Sequence, residues 1–138
     1  MNPYEIAIMS GAVANEPVAL NTFSDLETAE GKKMLYEMQN GNAAPLKDAV
    51  NTEFEIAGFL VRRSQAVDDE TGEIKTVPLS FIKTTDGRTF AGQSVGIFQS
   101  LLSIHEIFGD PETWTEPVKV RCVNQSTKRG TMLKLNLV

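Results

Sequence analysis

Residues 117–138 read PVKVRCVNQSTKRGTMLKLNLV. From Val118 to Cys122 apolar and basic residues alternate, which is the period-two pattern of a strand with one buried face. A second alternating run carries leucines at 133, 135 and 137, and the polar residues 124–130 separate the two runs. The stretch therefore predicts two adjacent strands joined by a turn, with their cations on the outer face.

Three more strands are predicted earlier in the chain. Extended patterns run over residues 53–61, 74–84 and 88–91. A polar turn at 68–73 separates the first two strands, and Thr85-Asp86-Gly87 is a tight hairpin signal between the second and the third.

A helix is expected between the third and fourth strands, because Ser94 can cap a helix that runs to Phe108 and ends before Gly109. The order strand, strand, strand, helix, strand, strand is the connectivity of the OB-fold, a five-stranded partly open barrel that often binds oligonucleotides. We therefore expect a mainly β, OB-like barrel over residues 53–138.

Residues 1–52 predict an N-terminal arm and a helix that pack on this domain. Ser24 followed by Glu27 is a helix-start signature, with Thr28 as a rival cap, and apolar residues continue at helical spacing towards Asn40. We expect a helix of about three turns here.

The charge of the chain is segregated. Its 138 residues carry 13 bases and 18 acids, a net charge of −5, yet residues 117–138 hold five bases and no acid. A local positive field can attract a polyanion even when the net charge is unfavourable. The sequence therefore predicts a localised nucleic-acid surface, and it argues against a protein that coats DNA by bulk charge.

Catalysis is not expected, because the chain has one His and one Cys, far apart in sequence, and no glycine-rich phosphate loop. We predict that His105 and Cys122 are packed core residues. The acidic turn at 68–73 lacks the alternating ligand spacing of a calcium hand. We therefore expect no catalytic residue, no metal and no cofactor.

Nothing in the N-terminal sequence signals export or membrane insertion, because no basic segment is followed by a long apolar run. We therefore expect a cytoplasmic protein with no membrane partner.

A single-strand binder needs cations that follow the phosphates and aromatic faces on which bases stack. The candidate cations are Arg62, Arg63, Lys75, Lys83, Arg88, Lys119, Arg121, Lys128, Arg129 and Lys134. The alternative is that these basic side chains only make the solvent-exposed face of the sheet soluble. The absence of any acid from the last two predicted strands favours a binding role.

Three aromatic residues are candidates for stacking. Phe59 is out of phase with the apolar residues of its strand, Trp114 lies in a loop, and Phe90 ends a short strand beside Arg88. Each is equally compatible with a place in the core. The residues assigned to the core are Phe81, Phe98 and Phe108.

Three stretches carry a family resemblance. DLETAEGKKMLY at 25–36, TTDGRTFA at 84–91 and STKRGTMLKL at 126–135 resemble bacteriophage single-stranded DNA-binding proteins. The resemblance implies a non-enzymatic OB-type domain that coats single-stranded DNA non-specifically during replication or recombination, in the host cytoplasm. Phage replication proteins or further copies of the chain are the protein partners it suggests. The chain departs from cellular single-strand binders, whose acidic C-terminal tail is replaced here by an apolar strand.

Two other functions stay open. A phage structural or adaptor domain would use the small barrel and the acidic N-terminal helix to hold protein partners. An inhibitor of a host DNA enzyme would use acids that imitate phosphate, but the basic stretch argues against that function, because a mimic should present one sign of charge.

Overall fold

A computed structural model describes residues 18–24, 28–68, 70–128 and 130–138. The strands are β1 (Val18–Asn21), β2 (Ala44–Pro45), β3 (Glu53–Val67), β4 (Ile74–Thr84), β5 (Thr89–Gly92), β6 (Lys119–Thr127) and β7 (Gly130–Leu137). The α-helices are α1 (Ala29–Glu37) and α2 (Val95–Phe108). The predicted mainly β class is confirmed. Five strands, β3 to β7, lie in the segment 53–138 for which five were predicted, and β1 and β2 lie before it.

The sheet follows the order β2-β5-β4-β3-β6-β7, and β1 pairs with β3 outside this path. Strand β3 links the two halves of the sheet: its first residues, Glu53 to Glu55, pair with β6, and the rest of the strand pairs with β4. Such a shared, bent strand curls the sheet into a half-barrel. Strands β1 and β2 come from the segment expected to be an arm, in which a short extended piece was expected around Val18 to Thr22, and they pair with β3 and β5.

A β-bulge between Ile56 and Gly58 changes which residues of β3 face the core. The bulge inserts one extra residue, so the alternation restarts one position later. Phe54 and Ile56 before it and Phe59 after it all belong to the main core, against α2, whereas Leu60 packs in a separate cluster. The prediction that Phe59 is out of phase with the core is therefore wrong.

The second cluster lies on the opposite face of the sheet, where Met38, Leu60 and Phe81 are buried beneath the end of α1. Thr28, rather than Ser24, caps α1: the Thr28 side chain accepts a hydrogen bond from the backbone N–H of Gly31 at 3.0 Å. Residues 25–27, which include the predicted partner Glu27, lie outside the described residues. Helix α1 thus covers one face of the β3–β4–β5 sheet.

Each free edge of the half-barrel is covered by another element, so the two edge strands do not pair with each other. The outer edge of β5 is taken by β2, which pairs with it in parallel. The outer edge of β7 is covered by α2, since Ser94 Oγ donates to the carbonyl oxygen of Leu133 at 2.9 Å and the backbone N–H of Leu135 donates to Ser100 Oγ at 3.1 Å. Ser94 precedes α2 as predicted, but its side chain makes no capping bond because it is used on β7.

Two hairpins are longer than the sequence indicated. Strand β3 continues to Val67, and β6 continues to Thr127, through part of the predicted turn at 124–130. The residues at the far end of β6 are exposed on both faces. A ribbon with water on both sides shows no apolar alternation, so its strands could not be predicted from the pattern.

Candidate nucleic-acid interface

The outer face of β6 and β7 carries three of the predicted cations. Arg121 pairs with Asn136 and Val123 pairs with Lys134 in the antiparallel register. Paired residues share a face, and so do residues two apart on one strand. Lys119, Arg121 and Lys134 therefore lie on one face, as the alternation predicts.

An acid from the neighbouring strand lies among these cations. Glu53 of β3 pairs with Arg121 in the sheet register and forms an ion pair with its guanidinium. Lys119 Nζ lies 3.5 Å from Glu53 Oε1. The hydrogen bond from Arg121 is the main reason that the pKa of Glu53 lies below its ordinary value. Glu53 thus offsets part of the positive charge that the sequence of 117–138 suggested was unopposed.

A groove of about 380 Å³ runs between α2 and the outer edge of β7. We call it the β7 groove, and its lining includes Gln99, Ser103, Phe108, Gln125, Met132 and Lys134. Among the described residues, no acid belongs to its lining, and the side chain of Lys134 makes no hydrogen bond or ion pair. The β7 groove therefore combines an available cation, amide side chains and an apolar wall.

Phe108 stands at the end of the β7 groove and is 41% exposed. The prediction that it belongs to the core is wrong, because it is the last residue of α2 and projects where the helix leaves the sheet. Its ring packs edge to face against Trp114, with 6.3 Å between ring centroids. The signal that could have found it is its position directly before Gly109, which ends the helix with φ of 80°.

Trp114 lies beside the groove rather than inside it. Its ring is partly buried against the main core, and its Nε1 donates to the carbonyl oxygen of Phe108 at 2.9 Å. These contacts hold the indole in one orientation. Trp114 is therefore positioned to report on events at Phe108.

Phe59 and Phe90 cannot serve as stacking platforms in this fold. Phe59 is fully buried, with its ring edge-on to His105 at 6.4 Å between centroids. Phe90 is 6% exposed and stacks on Phe54 at 4.9 Å. The Phe59 ring lies inside the core, and the Phe90 ring is also covered by the Arg88 guanidinium, 5.6 Å from its centroid, so neither ring is exposed as a stacking platform.

Three other predicted cations lie away from the β7 groove and already have partners. Arg62 hydrogen-bonds to Gln39, and Lys83 Nζ lies 3.3 Å from Met34 Sδ. Arg88 Nε lies 2.9 Å from Asp86 Oδ2. The hydrogen bonds from Arg88 and Thr84 lower the pKa of Asp86 to about 2. The structure does not bring these cations to the β7 groove.

The remaining predicted cations lie on the hairpins. Arg63 is opposite Pro78 in the β3–β4 hairpin, and the exposed Lys128 is in the β6–β7 turn. Neither side chain makes a hydrogen bond or ion pair with the described residues. Lys75 forms an ion pair with Asp68 at 2.8 Å, and Arg129 lies outside the described residues.

The side chains with catalytic or metal-binding chemistry are dispersed. Within the described part of the chain, no group of three or more His, Cys, Asp or Glu side chains could hold a metal ion. His105 is half-buried, and its Nε2 lies 2.7 Å from Asp110 Oδ1. Cys122 is buried as predicted, and burial raises the pKa of its thiol.

No helix among residues 18–24, 28–68, 70–128 and 130–138 has the length and apolar character needed to cross a membrane.

Comparison with known proteins gives a family match over most of the chain. The family model described as "Phage Single-stranded DNA-binding protein" matches residues 13–137. No curated protein and no solved structure matches the chain. The matched range includes all seven of the described strands and both α-helices.

Proposed function

The chain belongs to the family of phage single-stranded DNA-binding proteins, and we propose that it coats single-stranded DNA without sequence preference during phage DNA replication or recombination. The single observation that carries this proposal is the family match over residues 13–137. We also propose that residues 53–138 form an OB-like binding unit, to which β1 and β2 add edge strands.

We propose the β7 groove and the adjoining outer face of β6 and β7 as the DNA contact. Lys134 is a cation with no partner among the described residues, and Phe108 presents an exposed ring. A binder that tolerates any sequence needs these two features, because phosphates attract cations and every base has a face that can stack. The amides of Gln99 and Gln125 add hydrogen-bonding groups along the same wall.

The β7 groove suits this role better than the depression beside α1. The depression beside α1 is lined by Glu30 and Glu37 as well as by Lys33 and Lys83. Acids facing a phosphate chain repel it, whereas none of the described acids lines the β7 groove. On the outer face, the acid Glu53 already shares its charge with two cations.

The test is a titration followed by the fluorescence of Trp114, the single tryptophan of the chain. We expect a thymidine oligomer to bind more tightly than a duplex of equal length, with an affinity that falls as salt rises because counterions are released from phosphate. Failure to bind single strands at low salt would overturn the proposal. Lys134→Glu should weaken binding, whereas Lys32→Glu, the same change on the exposed face of α1, should not.

A second candidate function is a phage adaptor domain that holds protein partners. Val67 and Ile74, which pair at the end of the β3–β4 hairpin, are 65% and 67% exposed. Apolar side chains exposed together often mark a protein contact. A stable assembly on a sizing column whose mass does not change with added DNA would favour this function, and the same experiment tests self-association.

A further inference from the structure

We propose that the pocket between β5 and β7 holds one unstacked base of the bound strand, with Lys47 on an adjacent phosphate. This inference rests on the proposed function and names a second contact for the same strand. The pocket has a volume of about 370 Å³, and we call it the seam pocket. Its lining includes Pro45, Lys47, Leu79, Ala91, Gln93 and Leu133.

The seam pocket exists because the half-barrel does not close there. Strand β2 occupies the edge of β5, and Pro45 ends β2 with a residue that has no backbone N–H to offer another strand. On the far side, the bond from Ser94 Oγ to the carbonyl oxygen of Leu133 ties β7 to the start of α2. Strands β5 and β7 therefore do not pair within the described sheet, and the gap between them stays open to solvent.

The floor and walls of the seam pocket are apolar. Leu46 is fully buried beneath it, and Leu79 and Leu133 are half-buried at its sides. Small-molecule sites measure about 300–1,000 Å³ and combine apolar walls with a few polar groups. A volume near the lower end of that range fits a single flat base rather than a stretch of the strand.

The polar groups of the seam pocket match a nucleotide. Among the described residues, Lys47 is exposed without a hydrogen bond or ion pair, and no acid lines the pocket. Asp48 follows Lys47 in the chain but is not part of the lining. Gln93 Nε2 donates to Ser64 Oγ at 3.4 Å, which leaves its carbonyl oxygen to accept a bond from an exocyclic amino group of a base.

The seam pocket and the β7 groove have β7 in common. Leu133 lines the pocket, and its neighbours Met132 and Lys134 line the groove. Met132 and Lys134 project to the face of β7 opposite Leu133, so a single strand that contacts Lys134 must pass around the edge of β7 at Leu133 to place a base in the pocket. The cation of Lys47 and the absence of acids from the described lining favour a nucleotide as the occupant over an uncharged small molecule.

The experiment measures binding of an adenine oligomer that carries one 2-aminopurine, whose fluorescence rises when the base leaves the stack. Ala91→Phe fills the pocket, and Lys47→Glu reverses its charge. We expect the emission to rise with the wild-type protein and not with Ala91→Phe, whose affinity should fall about tenfold with an unchanged salt dependence, by loss of one base contact. Lys47→Glu should weaken binding and reduce the salt slope by about 0.7, the value for one phosphate contact on a single strand.

Matched variants separate the possible outcomes. Lys32→Glu makes the same charge change on α1 and should bind as the wild type does. If Ala91→Phe and Lys47→Glu also bind like the wild type while Lys134→Glu is weakened, the seam pocket is not a base site and the proposed function stands. A wild-type protein that binds no single strand overturns the proposed function itself. If circular dichroism shows that Ala91→Phe does not fold, the comparison of Lys47→Glu with Lys32→Glu tests the seam pocket. Weaker binding by Lys47→Glu alone supports the pocket as a contact, and equal binding by the two variants overturns it.

Discussion

Replacing Glu53 by glutamine should strengthen the binding of single-stranded DNA. The Glu53 carboxylate pairs with Arg121 and lies 3.5 Å from Lys119 Nζ, so it competes with phosphate for both cations. The glutamine amide has the same shape as the carboxylate without its charge. Both cations then become available to the strand on the outer face of β6 and β7.

The magnitude follows from the two cations that are released. On a single strand each phosphate contact contributes about 0.7 to the slope of log K against log salt, which corresponds to about fivefold in affinity between 1 M and 0.1 M salt. Two full contacts would give about 25-fold at 0.1 M salt. The Lys119 pair is the looser of the two and is already partly available to phosphate. We therefore expect a gain of roughly five- to twenty-fold and a slope steeper by about 1.

The assay is the Trp114 titration with a thymidine oligomer at several salt concentrations. Glu70→Gln is the matched control, because it removes one exposed acid from the β3–β4 turn and its carboxylate has no hydrogen bond or ion pair with the described residues. A Glu53→Gln protein that binds no more tightly than the Glu70→Gln protein, or more weakly than the wild type, would show that Glu53 does not compete with phosphate for Lys119 and Arg121.

Three further changes test other parts of the account. Phe108→Ala should weaken single-strand binding by about 1–3 kcal/mol, the usual value of one base–aromatic stack. If this variant binds as tightly as the wild type in the titration, Phe108 is not a DNA contact. Phe59→Ala should instead lower the free energy of unfolding by about 3–5 kcal/mol, because it leaves a cavity in the core. Gly58→Ala would place a Cβ against the Phe23 ring, closer than any ordinary contact. The free energy of unfolding measured by urea denaturation should therefore fall by about 1–3 kcal/mol. An unchanged urea midpoint would show that the two side chains do not clash. Because the folded-state pKa of Asp86 is lowered to about 2, its contribution to stability is complete above its ordinary pKa and is lost as the pH falls towards 2. The melting temperature of Asp86→Asn should therefore fall less than that of the wild type as the pH is lowered from the ordinary carboxyl range to about 2. An equal fall in both proteins would show that protonation of Asp86 does not cause the loss of stability.

Two elements could be predicted from the sequence with their correct bounds. Strand β4 was expected over 74–84 and is Ile74–Thr84, and the helix expected from Ser94 to Phe108 is α2. In both cases the apolar period is uninterrupted and turn residues mark the ends. The pairing of β1 with β3 and of β2 with β5 depends on contacts far apart in sequence, so no local pattern indicated it.

The error at Phe59 has a specific cause. The bulge between Ile56 and Gly58 contains two small residues, and a sequence alternation gives no sign that one position has been skipped. Gly58 is required there because the Phe23 ring lies where a side chain would project. The requirement becomes visible only when the N-terminal segment is seen packed on the sheet.

The candidate site could be predicted only in part. Alternation was enough to place Lys119, Arg121 and Lys134 on one face, because the period of a strand fixes the direction of its side chains. The role of Glu53 depends on the register between β3 and β6, which the sequence does not contain. Phe108 was assigned to the core because it belongs to the apolar stripe of α2, although the helix end carries it beyond the sheet.

Photocrosslinking with an oligomer that contains 5-iododeoxyuridine, followed by identification of the modified peptides, tests whether single-stranded DNA lies along β7. We expect crosslinks in the peptide that contains Phe108 and in the peptide that contains residues 132–134. Crosslinks confined to α1 would contradict a path along β7, because they would place the strand in the depression beside that helix.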